Sequence, residues 1–315
     1  MALETIKNDL LIIGSGPAGL GAAIYAHRAG IDFSIVDSNL AGGQIVTTGQ
    51  IDNYLGFYNI SGFDLIKDML SHVKKFGIEI KEFSKINKIS VIHNEKTDKN
   101  TFISESEKYK FKTKAIIVAT GASPKKLDIP GEDRLIGKGI SFCATCDGAL
   151  YKDMDVAVIG GGNAALEEAL FLTKFARKVY IIHRRDELRA SKTIADKAKS
   201  NKKIHFLLNN KIIEFEGEER LAKVVIQNNK TNILKDINVS AVFEYVGIKP
   251  NSALLKDIVE LDELGFVVTN KNLETSMPGI FAAGDVRNTP LRQVITAVAD
   301  GAVAATSAEK YLSEI

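Results

Sequence analysis

The sequence predicts an α/β protein of two domains, each built on a parallel sheet that starts from a βαβ unit. Its 315 residues suit two compact domains, because a single domain commonly holds about 100–200 residues. The segment LLIIGSGPAGLGAAIYAHRAGIDFSIVD at 10–37 also aligns without a gap on VAVIGGGNAALEEALFLTKFARKVYIIH at 156–183. Each copy runs from an apolar stretch through a glycine turn and an alanine-rich helix to a second β-rich stretch, which is the pattern of a βαβ unit.

The composition excludes several classes of protein. The chain is 45% hydrophobic and 25% charged, with 25 Gly and 6 Pro, which is typical of a globular protein with many tight turns. Its 41 Lys and Arg are balanced by 39 Asp and Glu, so the even charge argues against a nucleic-acid partner. No apolar run reaches the roughly 18 residues of a membrane helix, and the amino end does not resemble a signal peptide. We therefore expect a cytoplasmic protein with no membrane partner.

The first glycine turn, GSGPAG, predicts a dinucleotide site. Glycines at these spacings allow a tight turn, close approach of the backbone to a pyrophosphate, and close packing of the helix on the strand. Asp37 ends the second strand, where a carboxylate accepts hydrogen bonds from ribose hydroxyls. A GxGxxG pattern alone can be only a glycine-rich turn, but here strand, helix and acidic residue agree. The residues predicted to line this site are Gly14, Gly16, Pro17, Ala18, Gly19 and Asp37.

The second glycine turn, GGGNAA at 160–165, has a different residue at the end of its second strand. His183 stands at the position of Asp37, and three arginines follow it. Cations at this position favour the 2′-phosphate of NADPH. The alternative is an arginine group that only begins a helix. The residues predicted to bind NADPH are Gly160, Gly162, Asn163, Ala164, His183, Arg184, Arg185 and Arg189.

An NADPH site beside a second dinucleotide site suggests a flavoprotein in which FAD holds the electrons. The segment GIFAAGDVRNTPLRQ supports this interpretation, because a strand that ends in Gly284 and Asp285 can offer a carboxylate to ribityl hydroxyls. A Gly-Asp pair by itself is also a common turn. The alanine-rich stretch at 291–312 predicts a long helix.

Two further segments, 78–118 and 204–247, predict meanders of short strands. In the first of them, YKFKTKAIIVAT at 109–120 is predicted as a single strand. Because one such segment follows each βαβ unit, the internal repeat extends beyond those units.

The motif FCATCDG at 142–148 predicts redox chemistry. A cysteine pair separated by two residues can alternate between dithiol and disulfide. Zinc is the other interpretation, but a structural site needs four ligands and the chain has only Cys143 and Cys146, with no nearby His. Asp147 can act as a general acid toward these thiols, or it can form an Asx turn before Gly148.

In this order, the motifs resemble those of the low-molecular-weight thioredoxin reductases of the bacterial type, along essentially the whole chain. The resemblance implies the class II architecture of the pyridine nucleotide-disulfide oxidoreductases, with two Rossmann-like three-layer domains in a homodimer. The FAD domain would be discontinuous, at 1–120 and 249–315, and the inserted NADPH domain at 121–248 would carry the CxxC motif. The shared motifs are GSGPAG, GGQ at 42–44, ATGASP at 119–124, CATCDG, GGGNAALEEA, HRRDELR, FAAGDV and the pair Arg292–Gln293.

The resemblance also implies a role for each site residue. Cys146 lies against the flavin and receives its electrons, Cys143 attacks the disulfide of thioredoxin, and Asp147 supplies the proton. The chain departs from the family pattern at Ala164, where Ser or Thr is usual, and at YLGF (54–57), which replaces an aromatic-Pro-Gly turn. The further residues implied to line FAD are Gly42, Gly43, Gln44, Asn53, Gly284, Asp285, Arg292 and Gln293.

Three other functions compete with this interpretation. A ferredoxin-dependent flavin thioredoxin reductase has similar architecture but lacks the NADPH motifs that GGGNAA and HRRDELR represent here. A ferredoxin or flavodoxin NADP reductase does not use a CxxC pair. A non-catalytic sensor of nucleotides needs no paired thiols.

Overall fold

The computed structural model describes residues 3–48, 51, 53–94 and 99–314, without the side chains of Thr47, Asn94, Lys99, Thr145 and Cys146. The chain divides into two compact units. We call Met1–Ser123 with Lys249–Ile315 the discontinuous unit, and Pro124–Ile248 the inserted unit. Which cofactor each unit binds stays a prediction.

The chain begins in the discontinuous unit. Its elements there are β1 (Glu4–Lys7), β2 (Leu10–Ile13), α1 (Pro17–Arg28), β3 (Phe33–Val36), a 3-10 helix (Gly43–Thr47), α2 (Gly62–Lys75), β4 (Ile80–Lys81), β5 (Lys88–Asn94), β6 (Lys99–Glu105), β7 (Tyr109–Thr113), β8 (Ala115–Val118) and β9 (Ala122–Pro124).

The inserted unit follows. Its elements are α3 (Glu132–Leu135), β10 (Ile140–Ser141), α4 (Ala144–Asp147), a 3-10 helix (Gly148–Tyr151), β11 (Asp155–Ile159), α5 (Asn163–Leu172), β12 (Lys178–His183), α6 (Lys192–Ser200), β13 (Ile204–Leu208), β14 (Asn210–Glu216), β15 (Lys223–Asn228), β16 (Leu234–Asn238) and β17 (Ala241–Glu244).

The chain then returns through β18, which pairs with β9 in a two-stranded sheet. The last elements are β18 (Ile248–Pro250), a 3-10 helix (Ala253–Leu255), β19 (Ile280–Ala282), a 3-10 helix (Gly284–Val286) and α7 (Val294–Ser313).

Each unit has three layers around a parallel five-stranded sheet. In the discontinuous unit the strand order is β19-β8-β2-β3-β4, with the antiparallel pairs of β5, β6 and β7 in a second sheet that β1 completes. Alternate residues of β2 point to opposite faces. Leu10 and Ile12 join the core beneath the helices, whereas Leu11 and Ile13 join the core against the second sheet.

The inserted unit repeats this architecture. Its parallel sheet has the order β10-β17-β11-β12-β13, and β14-β15-β16 form the antiparallel sheet. Val156 and Val158 of β11 pack on the helix face, while Ala157 and Ile159 pack on the other. The α/β class with two three-layer, parallel-sheet units is therefore confirmed.

The single strand predicted over 109–120 is wrong. The chain forms β7 and β8, which lie in different sheets on either side of Lys114. The N–H groups of Lys114 and Ala115 both donate to the carbonyl of Asp9, which separates the two strands. Residues 115–118 are buried without interruption, as in a strand covered on both faces.

The predicted C-terminal helix is present as α7, and it begins later than 291. Gln293 is its N-cap, and the side chain of Thr296 completes a capping box. Small residues allow α7 to pack closely on α1, because a Cβ added to Gly301 would lie 2.1 Å from the carbonyl oxygen of Ala18. The alanine-rich composition thus serves close helix packing within the unit.

Candidate functional site

The first glycine turn brings two segments of backbone close together. Gly14 has φ +107°, and an added Cβ would lie 2.3 Å from the carbonyl oxygen of Ala119. A Cβ on Gly19 would lie 1.8 Å from the carbonyl oxygen of Gly14. Gly16, by contrast, caps α1, and its Cβ position is 3.8 Å from the Cα of Gly43. Gly14 and Gly19 therefore serve packing, while Gly16 lines an open approach to the first amides of α1, where an anion is favoured.

Asp37 is held at the end of β3 by the turn beside it. Its Oδ2 accepts the backbone N–H of Ser15 at 2.7 Å and the Ser15 hydroxyl at 2.6 Å. Its Oδ1 accepts the N–H of Asn39 at 3.0 Å. Ser15 is fully buried and was missed in the sequence, although its place inside GSGPAG next to a charged strand end is a usable signal.

The GGQ segment continues this cradle. Gly42 and Gly43 have φ values of +131° and +67°, and the Gly42 N–H donates to the Ser15 carbonyl at 3.1 Å. Gln44 is exposed. The structure also joins Asn53 to Gln293, since Asn53 Nδ2 donates to Gln293 Oε1 at 3.0 Å.

The second half of the discontinuous unit adds Asp285 and Arg292. Burial raises the pKa of Asp285, Arg292 opposes the shift and Asp300 adds to it. The Arg292 guanidinium carbon lies 4.1 Å from the ring centre of Phe266. Its Nε is buried and has no hydrogen-bond partner within the described residues, so a buried donor is left for a ligand.

An ion pair missed in the sequence fixes the turn at Gly284. Asp300 of α7 accepts the Gly284 N–H at 3.0 Å and pairs with Arg287 at 2.7 Å. Both charged side chains are largely buried. This pair determines where Asp285 lies, because it ties the 3-10 helix to α7.

The second glycine turn has the same form with different contacts. Gly160 has φ +147°, and its added Cβ would lie 2.6 Å from the Tyr245 carbonyl oxygen. At Gly162, which caps α5, an added Cβ would meet nothing within 4 Å. Asn163 Oδ1 accepts the N–H of Ser191 at 2.7 Å, while Ala164 is exposed. The open space at Gly162 suits a phosphate above the first turn of α5.

His183 lies under this turn. It is 5% exposed, and a Cβ on Gly161 would come within 2.5 Å of its ring. Burial lowers the pKa of His183, a hydrogen bond to the backbone of Glu187 opposes the shift, and the following arginines add to it. Its Nε2 is buried and unpaired among the described residues.

The three arginines after β12 are exposed. Arg189 is tied to the glycine turn, because its N–H donates to the Gly161 carbonyl at 2.6 Å. Arg184 and Arg185 directly follow His183, at the carboxyl end of β12. The structure thus brings all three to the carboxyl edge of the sheet where the turn lies.

The CATC motif also lies at this edge. Cys143 is disulfide-bonded, and its carbonyl accepts the N–H of Asp147 at 3.2 Å. The predicted residue Cys146 belongs to α4, and its side chain lies outside the described residues. Asp147 is half-buried, and its charge adds to the burial that raises the pKa of Tyr151.

Two hydroxyl groups that the sequence did not single out touch this turn. Ser141 Oγ accepts the Cys143 N–H at 3.0 Å. The Tyr245 hydroxyl accepts the Ala144 N–H at 2.8 Å. Ser141 is the last residue of β10 and Tyr245 directly follows β17, so both lie at the carboxyl edge of a parallel sheet, which is the signal that could have found them.

Two absences concern only the residues that the structure describes. Within them, no three His, Cys, Asp or Glu side chains cluster in a way that could hold a metal ion. None of the helices described here combines the length and apolar character needed to cross a membrane.

The two glycine cradles and the disulfide turn define a class of oxidoreductases that pass electrons between a nucleotide and a disulfide. The chain belongs to the pyridine nucleotide-disulphide oxidoreductase family, which it matches over residues 8–301. FAD and NADPH are the cofactors of this class, and the glycine cradles fit such ligands, as do Arg292 Nε and His183 Nε2, which have no hydrogen-bond partner among the residues that the structure describes.

Particular relatives are similar over nearly the full length. The chain is 45% identical to a protein named thioredoxin reductase from Peptoclostridium litorale, over 98% of each chain. It is 40% identical to one from Listeria innocua, over 100% of this chain and 97% of the other. A crystal structure of Lactococcus lactis thioredoxin reductase superposes with a TM-score of 0.85 at 39% identity, covering 98% of this chain and 100% of that one.

Proposed function

We propose that the protein is a thioredoxin-disulfide reductase that transfers electrons from NADPH through FAD and the Cys143–Cys146 pair to thioredoxin. The observation that carries this proposal is the disulfide-bonded Cys143 in the same unit as the second glycine turn and the three exposed arginines that follow β12. Both features lie at the carboxyl edge of one parallel sheet, where α/β proteins bind their ligands. The names of the relatives agree with this reading.

The two cradles would each hold one cofactor. Gly16 and Gly43 leave the approach to α1 open for the FAD pyrophosphate, and Asp285, Arg292 and Gln293 belong to the same unit. In the inserted unit, Gly162 leaves room for the NADPH pyrophosphate. Arg184, Arg185 and Arg189 would bind its 2′-phosphate, since guanidinium groups match phosphate oxygens in pairs.

Bound FAD would supply the two-electron link between NADPH and the cysteine pair. The Cys143 thiolate then attacks one sulfur of the thioredoxin disulfide and forms a mixed disulfide. Cys146 attacks Cys143, which releases reduced thioredoxin and restores the Cys143–Cys146 disulfide. Asp147 would give its proton to the departing thioredoxin thiolate, as a general acid adjacent to the pair.

An anaerobic titration with NADPH tests the whole relay. We expect NADPH to bleach the flavin absorbance, two protein thiols to appear, and added thioredoxin to restore the oxidised spectrum. Cys143→Ser and Cys146→Ser should abolish thioredoxin reduction while NADPH still reduces the flavin. Full thioredoxin reductase activity in both variants contradicts the proposal.

The same titration separates the ferredoxin-dependent alternative. If NADPH leaves the flavin oxidised while dithionite reduces it and frees both thiols, the donor is a different reductant. The open space at Gly162 and the arginines at the carboxyl end of β12 favour NADPH. A ferredoxin or flavodoxin NADP reductase is disfavoured because it has no use for a disulfide-bonded Cys143.

We also propose a cytoplasmic homodimer. This part rests on the resemblance of the motifs and on the cysteine usage of a reducing compartment. Light scattering on the purified holoprotein should give twice the monomer mass at micromolar concentration, and a monomer mass there contradicts the dimer.

A further inference from the structure

The turn that carries Cys143 is held by two side-chain hydroxyls from neighbouring strands. Ser141 ends β10 and Tyr245 directly follows β17, and these two strands pair in parallel, with Ser141 opposite Phe243. Parallel strands bring their carboxyl ends to one edge of a sheet. The two hydroxyls therefore meet the start of α4 from adjacent strands of the same sheet.

Each hydroxyl satisfies a backbone group that the turn cannot satisfy itself. The first N–H groups of a helix have no partner within the helix. The Ala144 N–H is one of these, and it donates to the Tyr245 hydroxyl at 2.8 Å. The Cys143 N–H donates to Ser141 Oγ at 3.0 Å, and that hydroxyl donates in return to the Cys143 carbonyl at 3.3 Å.

Each contact involves a buried residue. Ala144 is fully buried in the core on the helix face of the sheet, and Ser141 is 7% exposed. The Tyr245 N–H donates to the Ile159 carbonyl at 2.8 Å, which anchors its backbone to β11. An unpaired amide at Ala144 would carry a desolvation cost at this depth.

The phenol of Tyr245 stays neutral. Burial raises its pKa, the carboxylates of Glu168 on α5 and Asp147 on α4 add to the shift, and only the Ala144 N–H opposes it. A neutral phenol keeps both a lone pair for Ala144 and its own proton. The hydrogen bond from Ala144 therefore does not depend on ionisation of the phenol.

We propose that Tyr245 and Ser141 are positioning residues of the redox pair, whose hydroxyls hold the backbone of Cys143 and Ala144 and so raise the effective concentration of the two thiols toward each other. The inference rests on the proposed function for its physiological meaning. It does not need thioredoxin or NADPH for its test, because effective concentration is a property of the turn itself.

Preorganised thiols favour the closed disulfide. Loosening the turn lowers their effective concentration, so the disulfide becomes easier to reduce. We expect Tyr245→Phe and Ser141→Ala each to shift the equilibrium with dithiothreitol about tenfold toward the dithiol, which corresponds to about 30 mV for a two-electron couple.

The experiment titrates the holoprotein with mixtures of reduced and oxidised dithiothreitol. The dithiol fraction is read by alkylation and mass spectrometry. Tyr245→Phe removes a single oxygen atom and preserves the packed ring. Tyr180→Phe is the matched control, because Tyr180 lies on β12 in the same sheet and packs on the opposite face. Ser141→Thr keeps the hydroxyl that Ser141→Ala removes, so its equilibrium with dithiothreitol should lie closer to that of the unmodified protein.

A second measurement separates positioning from general damage. Stopped-flow reduction of the flavin by NADPH should stay unchanged in Tyr245→Phe, while kcat with thioredoxin falls. Unchanged dithiothreitol equilibria in both hydroxyl variants overturn the inference, and so does an equal shift in Tyr180→Phe. If the unmodified protein fails to reduce thioredoxin, the proposed function fails, but the dithiothreitol equilibrium still decides the role of Tyr245 and Ser141.

Discussion

The two glycine turns have the same backbone course and different side chains at the strand ends. In the discontinuous unit, β3 ends next to Asp37, which accepts hydrogen bonds from the N–H and the hydroxyl of Ser15. In the inserted unit the corresponding strand ends in His183, packed under Gly161. The strands on the other side of the glycine turns, β8 and β17, differ as well. Val118 at the end of β8 pairs with Ile13, whereas Glu244 at the end of β17 pairs with Ile159.

This comparison separates two kinds of residue in the predicted nucleotide sites. Gly14, Gly19 and Gly160 permit the turns because an added Cβ at each would lie within 3 Å of a carbonyl oxygen. We expect the residues at the strand ends to select the ligand, because Asp37 stands at one of them and His183, followed by arginines, at the other. Changes at the first kind should damage folding, and changes at the second should alter ligand preference.

The largest expected effect is at the first glycine turn. Gly19→Ala should unfold or strongly destabilise the discontinuous unit, by about 3 kcal/mol or more, because the new Cβ would lie 1.8 Å from a carbonyl oxygen. Gly16→Ala should fold, since its Cβ would make only ordinary contacts, but it should lose FAD. Circular dichroism melts and the flavin absorbance of the purified protein measure both effects. Equal stability and equal flavin content in the two variants would show that the turn has no such division.

The next largest effect is on the pH dependence of stability, and it concerns Glu244 at the end of β17. Burial raises the pKa of Glu244 to about 9, and the carboxylate of Glu132 adds to the shift. In the unfolded chain a glutamate loses its proton near pH 4.3. The folded protein therefore binds one more proton between these values. The resulting stability is fully present below the unfolded pKa and is lost as the pH rises through about 9.

Replacing Glu244 with valine, the residue at the corresponding position 118 of the discontinuous unit, tests this pH dependence. With Glu244 present, the free energy of unfolding should fall by at most about 1.4 kcal/mol per pH unit as the pH rises toward 9. Glu244→Val should remove this fall. Urea unfolding at pH 6, 7, 8 and 9 measures the slope. Glu219→Val is the control, because Glu219 is exposed in the same unit. A pH slope that persists in Glu244→Val assigns the titration to another group.

The preference for NADPH over NADH should depend on the arginines that follow β12. Arg184→Ala and Arg185→Ala should each raise the Michaelis constant for NADPH about 10-fold to 100-fold, or about 1.4–2.7 kcal/mol, because a charge partner of the 2′-phosphate is lost. The constant for NADH should not change. Arg177→Ala is the control, because Arg177 pairs with Asp155 at the first residue of β11, the opposite edge of the sheet. An equal rise for NADPH and NADH would refute the assigned role.

The smallest effect is expected at Ala164, where the chain departs from the family pattern. Ala164→Ser places a hydroxyl in the exposed first turn of α5. One added hydrogen bond to the nucleotide should lower the Michaelis constant for NADPH about fivefold, or about 1 kcal/mol. Steady-state kinetics with the thioredoxin concentration held constant measures this, and a weaker affinity for NADPH contradicts it.

Much of the fold could be predicted because its signals are local. The repeated run, glycine turn and helix predicted both βαβ units, and the parallel sheets and the family are confirmed. The division of 109–120 into two strands was missed, because no glycine or proline marks the change from the alternating residues at 109–113 to the continuous apolar run at 115–118. Which sheet each half joins depends on Asp9, whose carbonyl binds the amides at 114 and 115.

The candidate site was predictable to a lesser degree. The glycine turns, Asp37, the arginines and the CxxC motif have known spacings, and their ligands remain predictions. Tyr245, Ser141, Asp300 and Arg287 were not singled out in the sequence, where only Tyr245 and Ser141 offered a signal, through their positions at strand ends. Tyr245 accepts the N–H of Ala144 from 101 residues away, whereas Ser141 and Asp300 accept backbone N–H groups that are 2 and 16 residues away.

The sequence by itself determined the α/β class, the two nucleotide cradles and the redox motif, because apolar periodicity and glycine spacing act over a few residues. Only the tertiary structure decided that Asn53 meets Gln293, 240 residues away, and that Tyr245 holds Ala144 from 101 residues away. Such contacts form when strands and helices pack into one sheet and its covering layers. That packing selects the partners, and the local secondary-structure preferences of the sequence do not predict them.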